Sequence, residues 1–264
     1  MNNTFNLKRF GMLFKKHTLE HSKTYALSMA VLFGVIFLVL LFFSMMNQWH
    51  LSDQEQIIVL VFSMGGFGSI FGSMVFADLG DRSKVIPALM LPSSHFEKFL
   101  VGLLYSYFIY LIVFVASFCL ADFIVVSLGN HDLEKDKMIN VFSTTGRRPA
   151  ISFLFFTTFH AFVFWGSAFF KKLHFVKTTI VFFLCLGLLT LINGLVLNMF
   201  FSAHTRFSTG MPFTDIGIIQ PNQDYAMSWI YPGDEFDTYG KVIFVIVVLL
   251  FWTTTYFKLK EKQA

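Results

Sequence analysis

The residues best suited to chemistry lie near the N-terminus, in His17-Thr18-Leu19-Glu20-His21. They match H-x-x-E-H, a pattern in which two histidines one helical turn apart clasp zinc and the glutamate serves as general base in hydrolysis. Catalytic zinc takes three protein ligands, and the third candidate in this chain is Glu97. Without that ligand the two histidines read as interfacial residues of an amphipathic helix. No catalytic or metal-binding residue is assigned on this pattern, and a membrane-embedded metal-dependent hydrolase stands as an alternative function.

Other reactive side chains fall inside apolar runs. Asp122 closes one run and His160 lies within the next; ionisable groups at such depth are functional candidates, although Asp122 sits at the outer interface if its helix stops there and a neutral His160 needs only one partner. Asn193 and Asn198 can hydrogen-bond between helices. No Ser/His/Asp or Cys/His set gathers at one depth, so nucleophilic catalysis has no apparatus. The run Gly65-Gly66-Phe67-Gly68-Ser69-Ile70-Phe71-Gly72-Ser73 lacks the lysine and the spacing of a phosphate-binding loop. Gly65, Gly68 and Gly72 are instead expected to pack helices closely, through Gly68xxxGly72. Basic and aromatic residues do not interleave on a soluble surface, so nucleic acid is not an expected partner.

The elements that position these residues follow from composition. Of 264 residues 55% are hydrophobic, 14% are charged and 37 are phenylalanine, too apolar for a soluble domain. The chain reads as an all-α integral membrane protein with one transmembrane domain, 1–264. A spanning helix needs about 20 apolar residues, and runs of that kind occupy 25–46, 57–76, 99–121, 151–170, 176–198 and 242–257. Residues 1–24 are expected to form a cytoplasmic amphipathic helix on anionic lipid, with Leu7, Phe10, Leu13 and Phe14 on one arc and Lys8, Arg9, Lys15 and Lys16 elsewhere. The first run carries no small-residue cleavage pattern and reads as an uncleaved anchor. Cys119 and Cys185 both lie in apolar runs and define no disulfide.

Charge orients the bundle. Lys8, Arg9, Lys15, Lys16 and Lys23 share one face with Arg82, Lys84 and Lys98, with Lys171, Lys172 and Lys177, and with Lys258, Lys260 and Lys262. That face holds most of the chain's 20 Lys and Arg and is expected to be cytoplasmic, with both termini on it. The opposite face collects most of the acids and the longest connection, from Phe200 to Gly240, interrupted by Pro212, Pro221 and Pro232. Its remaining apolar residues suggest a loop folded back on the outer leaflet or a pathway mouth.

Between the second and third runs, Asp78, Asp81, Arg82 and Lys84 must stand in water. Pro87 and Pro92 limit the interval to a short helix broken before the next span. Ser94 to Glu97 then reads as a capping box, which fixes where the third span starts. That is more order than a passive connector requires.

This interval and the six-span plan resemble the membrane subunit of a type 2 ABC transporter. The likeness rests on Phe76-Ala77-Asp78-Leu79-Gly80-Asp81-Arg82-Ser83-Lys84, then Leu89-Met90-Leu91-Pro92-Ser93-Ser94, then Glu97-Lys98-Phe99. Where the family often has glutamate followed by Gly-Thr, this chain has Asp78 or Asp81 with Ser83 and Lys84. The resemblance implies an exporting permease subunit in a bacterial cytoplasmic membrane, paired with a second copy or a paralogue; the scarcity of intramembrane charge points to an apolar or amphiphilic substrate. It also implies that the interval is a coupling helix, with Asp78, Asp81, Arg82, Lys84, Pro92, Ser93 and Glu97 docking on a separate ATPase. ATP would be bound by that partner and no cofactor by this chain. A non-catalytic membrane interaction protein is the other alternative.

Overall fold

In hydrocarbon every backbone N–H and C=O must be paired internally, which a helix does within one segment. The computed structural model describes residues 5–74, 94–129, 148–170, 174–200, 206–209, 216–219, 227–230 and 234–263. Its helices are α1 (Leu7–Met46), α2 (Asp53–Met74), α3 (His95–Leu103), α4 (Tyr110–Gly129), α5 (Arg148–Phe169), α6 (His174–Phe200) and α7 (Asp234–Gln263). A π-helical segment, Leu104–Ile109, joins α3 to α4 without a break. Six helices are therefore long and apolar enough to cross a membrane, one for each expected span.

Three boundaries differ from the sequence reading. The surface helix expected at 1–24 and the first span are one helix of 40 residues, about 60 Å long. No Gly or Pro interrupts the stretch between Met12 and Phe33, so nothing stops the helix there. Asn6 caps its start by accepting from the amides of Lys8 and Arg9. The helix runs parallel to the third span along its whole length: Arg9 meets Glu97 at one end, and at the other a Cβ on Gly129 would lie 2.4 Å from the Trp49 carbonyl oxygen. Residues 7–24 thus stand against the third span and do not form a separate element lying on a bilayer surface.

The second span starts at Asp53, four residues before the apolar run. Ser52 and Glu55 form a reciprocal cap, Ser52 N–H donating to Glu55 Oε2 (3.0 Å) and Glu55 N–H to Ser52 Oγ (3.4 Å). Between the first two spans the chain reverses through Gln48 and Trp49, both left-handed, at φ 56° and 67°. Trp49 N–H donates back to the Ser44 carbonyl (2.7 Å), closing the helix end. The third span is longer than its apolar run in both directions, from His95 to Gly129.

The core is divided among three clusters. The largest sets Leu32, Ile36 and Leu40 of the first span against Leu60 and Met64 of the second and Tyr110, Phe114 and Phe118 of the third. The fourth span touches the second, fifth and sixth and is the most buried, with 61% of its apolar window inside against 6% for the fifth. The fifth span packs one stripe, including Thr178 and Phe182, against its neighbours and offers the rest of its surface to lipid or to another chain.

The long connection before the sixth span contains strands β1 (Arg206–Thr209), β2 (Ile216–Ile219) and β3 (Met227–Ile230). They form an antiparallel meander in which Arg206 is opposite Ile219 and Ile216 is opposite Ile230. The spanning part is all-helical as expected, and the sheet is a small addition within the connection, its three strands pairing with one another.

Candidate functional site

Of the residues assigned to the coupling interval, Asp78, Asp81, Arg82, Lys84, Pro92 and Ser93 lie outside the described residues. The end of that interval is described, and it is built around Glu97. Ser94 takes an extended backbone and caps α3: Glu97 N–H donates to Ser94 Oγ (3.2 Å), and Ser94 N–H donates to Glu97 Oε2 (2.9 Å). The box is a local device, set by residues three apart.

The other carboxylate oxygen reaches out of its own helix. Glu97 Oε1 accepts from the Asn6 amide at 2.9 Å and from Arg9 Nη2 and Nε at 2.9 and 3.3 Å. Glu97 is fully buried and Arg9 retains 28% side-chain exposure. One carboxylate therefore closes the cap of the third span and ties down the N-terminus of the first. Neither Asn6 nor Arg9 is singled out by the sequence, because Arg9 reads as one more basic residue on a lipid-facing arc.

About two turns higher the two spans meet through aromatic rings and hydroxyls. Thr18 Oγ1 donates to the Phe14 carbonyl (2.9 Å), which leaves it as acceptor for the Tyr105 hydroxyl in the π segment. Tyr25 stacks on Tyr105 with centroids 5.4 Å apart, and its hydroxyl is 2.7 Å from His17 Nε2. The His17 and His21 rings are 4.7 Å apart. Glu20 pairs with Lys16 (3.5 Å) and Glu97 is held by Arg9, so neither carboxylate joins the histidines. Among the described residues no three His, Cys, Asp or Glu side chains are grouped to hold a metal ion. His17 of the H-x-x-E-H pattern forms part of the seam between the first and third spans, its ring 4.5 Å from that of Tyr105.

The glycine run separates by position. A Cβ on Gly68 would lie 2.3 Å from Phe156 Cε2, and one on Gly72 would lie 3.3 Å from the His160 ring. Both therefore admit the fourth span closely, whereas a Cβ on Gly65 meets nothing within 4 Å. Gly65 is corrected from a packing position to an open one: it shares the face of Gly72, seven residues on, but no neighbour comes within 4 Å of a Cβ at its level. Ser69 and Ser73 bond to carbonyls of their own helix, at Gly66 and Ile70.

His160 is fully buried, enclosed by the rings of Tyr107, Phe156 and Phe164 at 5.2, 5.9 and 5.7 Å. Neither ring nitrogen has a hydrogen-bond partner among the described residues, and the nearby polar group is the backbone of Ser106, again in the π segment. Asp122 is buried inside α4, seven residues before its end at Gly129; the helix runs on past the apolar run, so this residue is not at the span's terminus. Segments with π geometry recur at functional positions in helices. Here the segment carries both Tyr105, which faces the first span, and Ser106, which faces His160.

No family model, curated protein or solved structure matches the chain.

Proposed function

We propose that this chain is the permease subunit of an ABC-type transporter of the type 2 kind. Two such subunits, identical or paralogous, would form the pathway, and a separate ATPase would drive it from the cytoplasmic side of a bacterial inner membrane. The cargo would be apolar or amphiphilic. Supporting this reading are the six spanning helices, the concentration of Lys and Arg on one face, and the sequence of the Asp78–Lys98 interval.

The observation that carries the proposal is the double engagement of Glu97. It ends the interval, caps the third span and grips the first span through Arg9 and Asn6. A displacement of the interval by a soluble partner would reach both spans together, which a loosely attached loop would not achieve. ATP-driven closure of the partner would then tilt spans one and three as a pair and switch the pathway between inward-open and outward-open states.

Affinity purification of the tagged full chain in mild detergent tests this directly. An ATPase subunit is expected in the complex, and Asp81→Ala with Arg82→Ala is expected to abolish stimulation of its hydrolysis. A complex that never contains an ATPase, or full transport by the double variant, would overturn the reading. So would labelling of Lys84 from outside intact cells.

A further inference from the structure

Beside the seam just described, the first, second and third spans enclose a half-open cleft of about 290 Å³. That is roughly twice the ~150 Å³ apolar cavity known to hold a benzene molecule. Its walls include Phe14, Tyr25 and Leu32 of the first span, Phe71 of the second, and Ile109 and Val113 of the third. From Phe14 to Leu32 the first span rises about 27 Å, so the cleft runs along the helix and has the proportions of a chain.

Its chemistry is graded along that axis. Toward the N-terminal end lie the hydroxyls of Thr18, Tyr25 and Tyr105, with His17 bonded to Tyr25. The far end, at Leu32 and Val113, is wholly apolar. Lys8 and Lys15 lie about 100–120° around the helix from Phe14, on one flank of the polar end, and both are exposed. The carboxylates nearby are already engaged, Glu20 by Lys16 and Glu97 by Arg9. Among the described residues neither Lys8 nor Lys15 is paired with an acid. The polar end is therefore a cationic, hydroxyl-lined mouth, and it sits where the charged N-terminal part of the helix gives way to its apolar part.

We propose that this cleft binds an anionic phospholipid, one acyl chain lying in the trough and the phosphate headgroup at the mouth. The tail would bury apolar surface along three spans, while the headgroup would accept from the Tyr25 hydroxyl, whose oxygen can take the His17 Nε2–H, and sit beside Lys8 and Lys15. The π segment matters for the fit, because it contributes Tyr105 and Ile109 to the same wall. A lipid bound here would brace the first span against the third whether or not an ATPase partners the chain.

The experiment uses the full chain reconstituted in phosphatidylcholine vesicles carrying a small share of phosphatidylglycerol with a photoactivatable acyl chain. After irradiation, adducts are mapped by peptide. They are expected on residues 14–32 and 105–113, in excess of those from a phosphatidylcholine probe by roughly fivefold for each lysine that the headgroup engages. Lys8→Gln with Lys15→Gln should equalise the two probes. Ser28→Trp, or Met29→Trp if the first variant does not fold, should clear adducts from both peptides and leave those on the lipid-facing fifth span. Equal yields from the two probes with the native chain, or adducts spread over the fifth span and absent from the cleft, would overturn the assignment. A disulfide-linked dimer through Ser28→Cys, with no adducts in the cleft, would give the space to a second copy and equally end it.

Discussion

Replacing Arg9 by Met keeps most of the side-chain stem and removes the guanidinium that holds Glu97. Among the described residues the buried carboxylate then retains the amides of Asn6 and Ser94. Breaking a fully buried ion pair costs about 3–5 kcal/mol. With 28% of the Arg9 side chain exposed, water reaches one partner, and about 2 kcal/mol is the appropriate figure. Glu97→Gln is comparable for a different reason: its NH₂ must point at either the Ser94 amide or the Arg9–Asn6 side, and both are donors. Since Arg9 and Glu97 share one interaction, the double variant should recover much of the sum, with a coupling of about 1–2 kcal/mol. The effect should be local, because residues 25–46 are held by the main core while, among the described residues, 7–24 rest on the third span. Hydrogen exchange of the full chain in detergent micelles measures this segment by segment. Exchange across 7–24 is expected to accelerate about 30-fold, the factor corresponding to 2 kcal/mol, with little change at 32–46. Unchanged exchange at 7–24, or single effects that add to within about 0.3–0.5 kcal/mol, would refute the clamp.

Three further outcomes follow from the packing. Gly68→Ala, whose Cβ would meet Phe156 at 2.3 Å, should lose about 1–3 kcal/mol by overpacking, while Gly65→Ala, with nothing nearby, should be neutral or gain up to about 1 kcal/mol from helix propensity; thermal unfolding of the pair in one detergent separates them. Ser52→Ala breaks the reciprocal cap with Glu55 and should lower stability by about 1 kcal/mol, with faster exchange confined to the first turn of the second span. His17→Ala removes the bond to Tyr25 and should reduce stability by about 1 kcal/mol without altering metal content, since elemental analysis of the native chain is expected to find no stoichiometric zinc.

What the sequence disclosed is whatever depends on neighbours within a turn or on the length of an apolar run. Ser94 and Glu97 could be paired on paper because a capping box is written in three residues. The Ser52–Glu55 box has the same form and was open to the same reading, but the apolar run beginning at Ile57 drew the boundary inward. The six spans were legible because hydrocarbon thickness sets a length. Arg9 and Glu97 are 88 residues apart, and nothing local distinguishes Arg9 from Lys8 or Lys15. The continuity of the first helix had a signal in its unbroken stretch from Met12 to Phe33, but the basic periodicity of residues 7–23 pointed more strongly to a surface helix. The three strands are each four residues long, too short for alternation to speak. In hindsight Pro212, Pro221 and Pro232 mark the intervals that follow them. The π segment has no sequence signature at all.

The placement of that segment bears on how force would travel through the bundle. Below it the third span is pinned at Glu97 to the first span and, through Phe99 and Leu103, to the fourth and sixth. Above it, Tyr110, Phe114 and Phe118 are locked in the largest core cluster. Between two anchored ends, a change in the capped end must be taken up where the hydrogen-bond ladder already departs from α geometry, because shifting one residue of register there disturbs fewer regular bonds than anywhere else in the rod. The side chains carried by the segment would feel that shift first: Tyr105, on the first span and the lipid cleft, and Ser106, beside the buried ring of His160. The clamp, the cleft and the buried histidine are then three faces of one joint. A push on the interval before Ser94 would reach the lipid-facing side and the interior of the bundle through the same six residues.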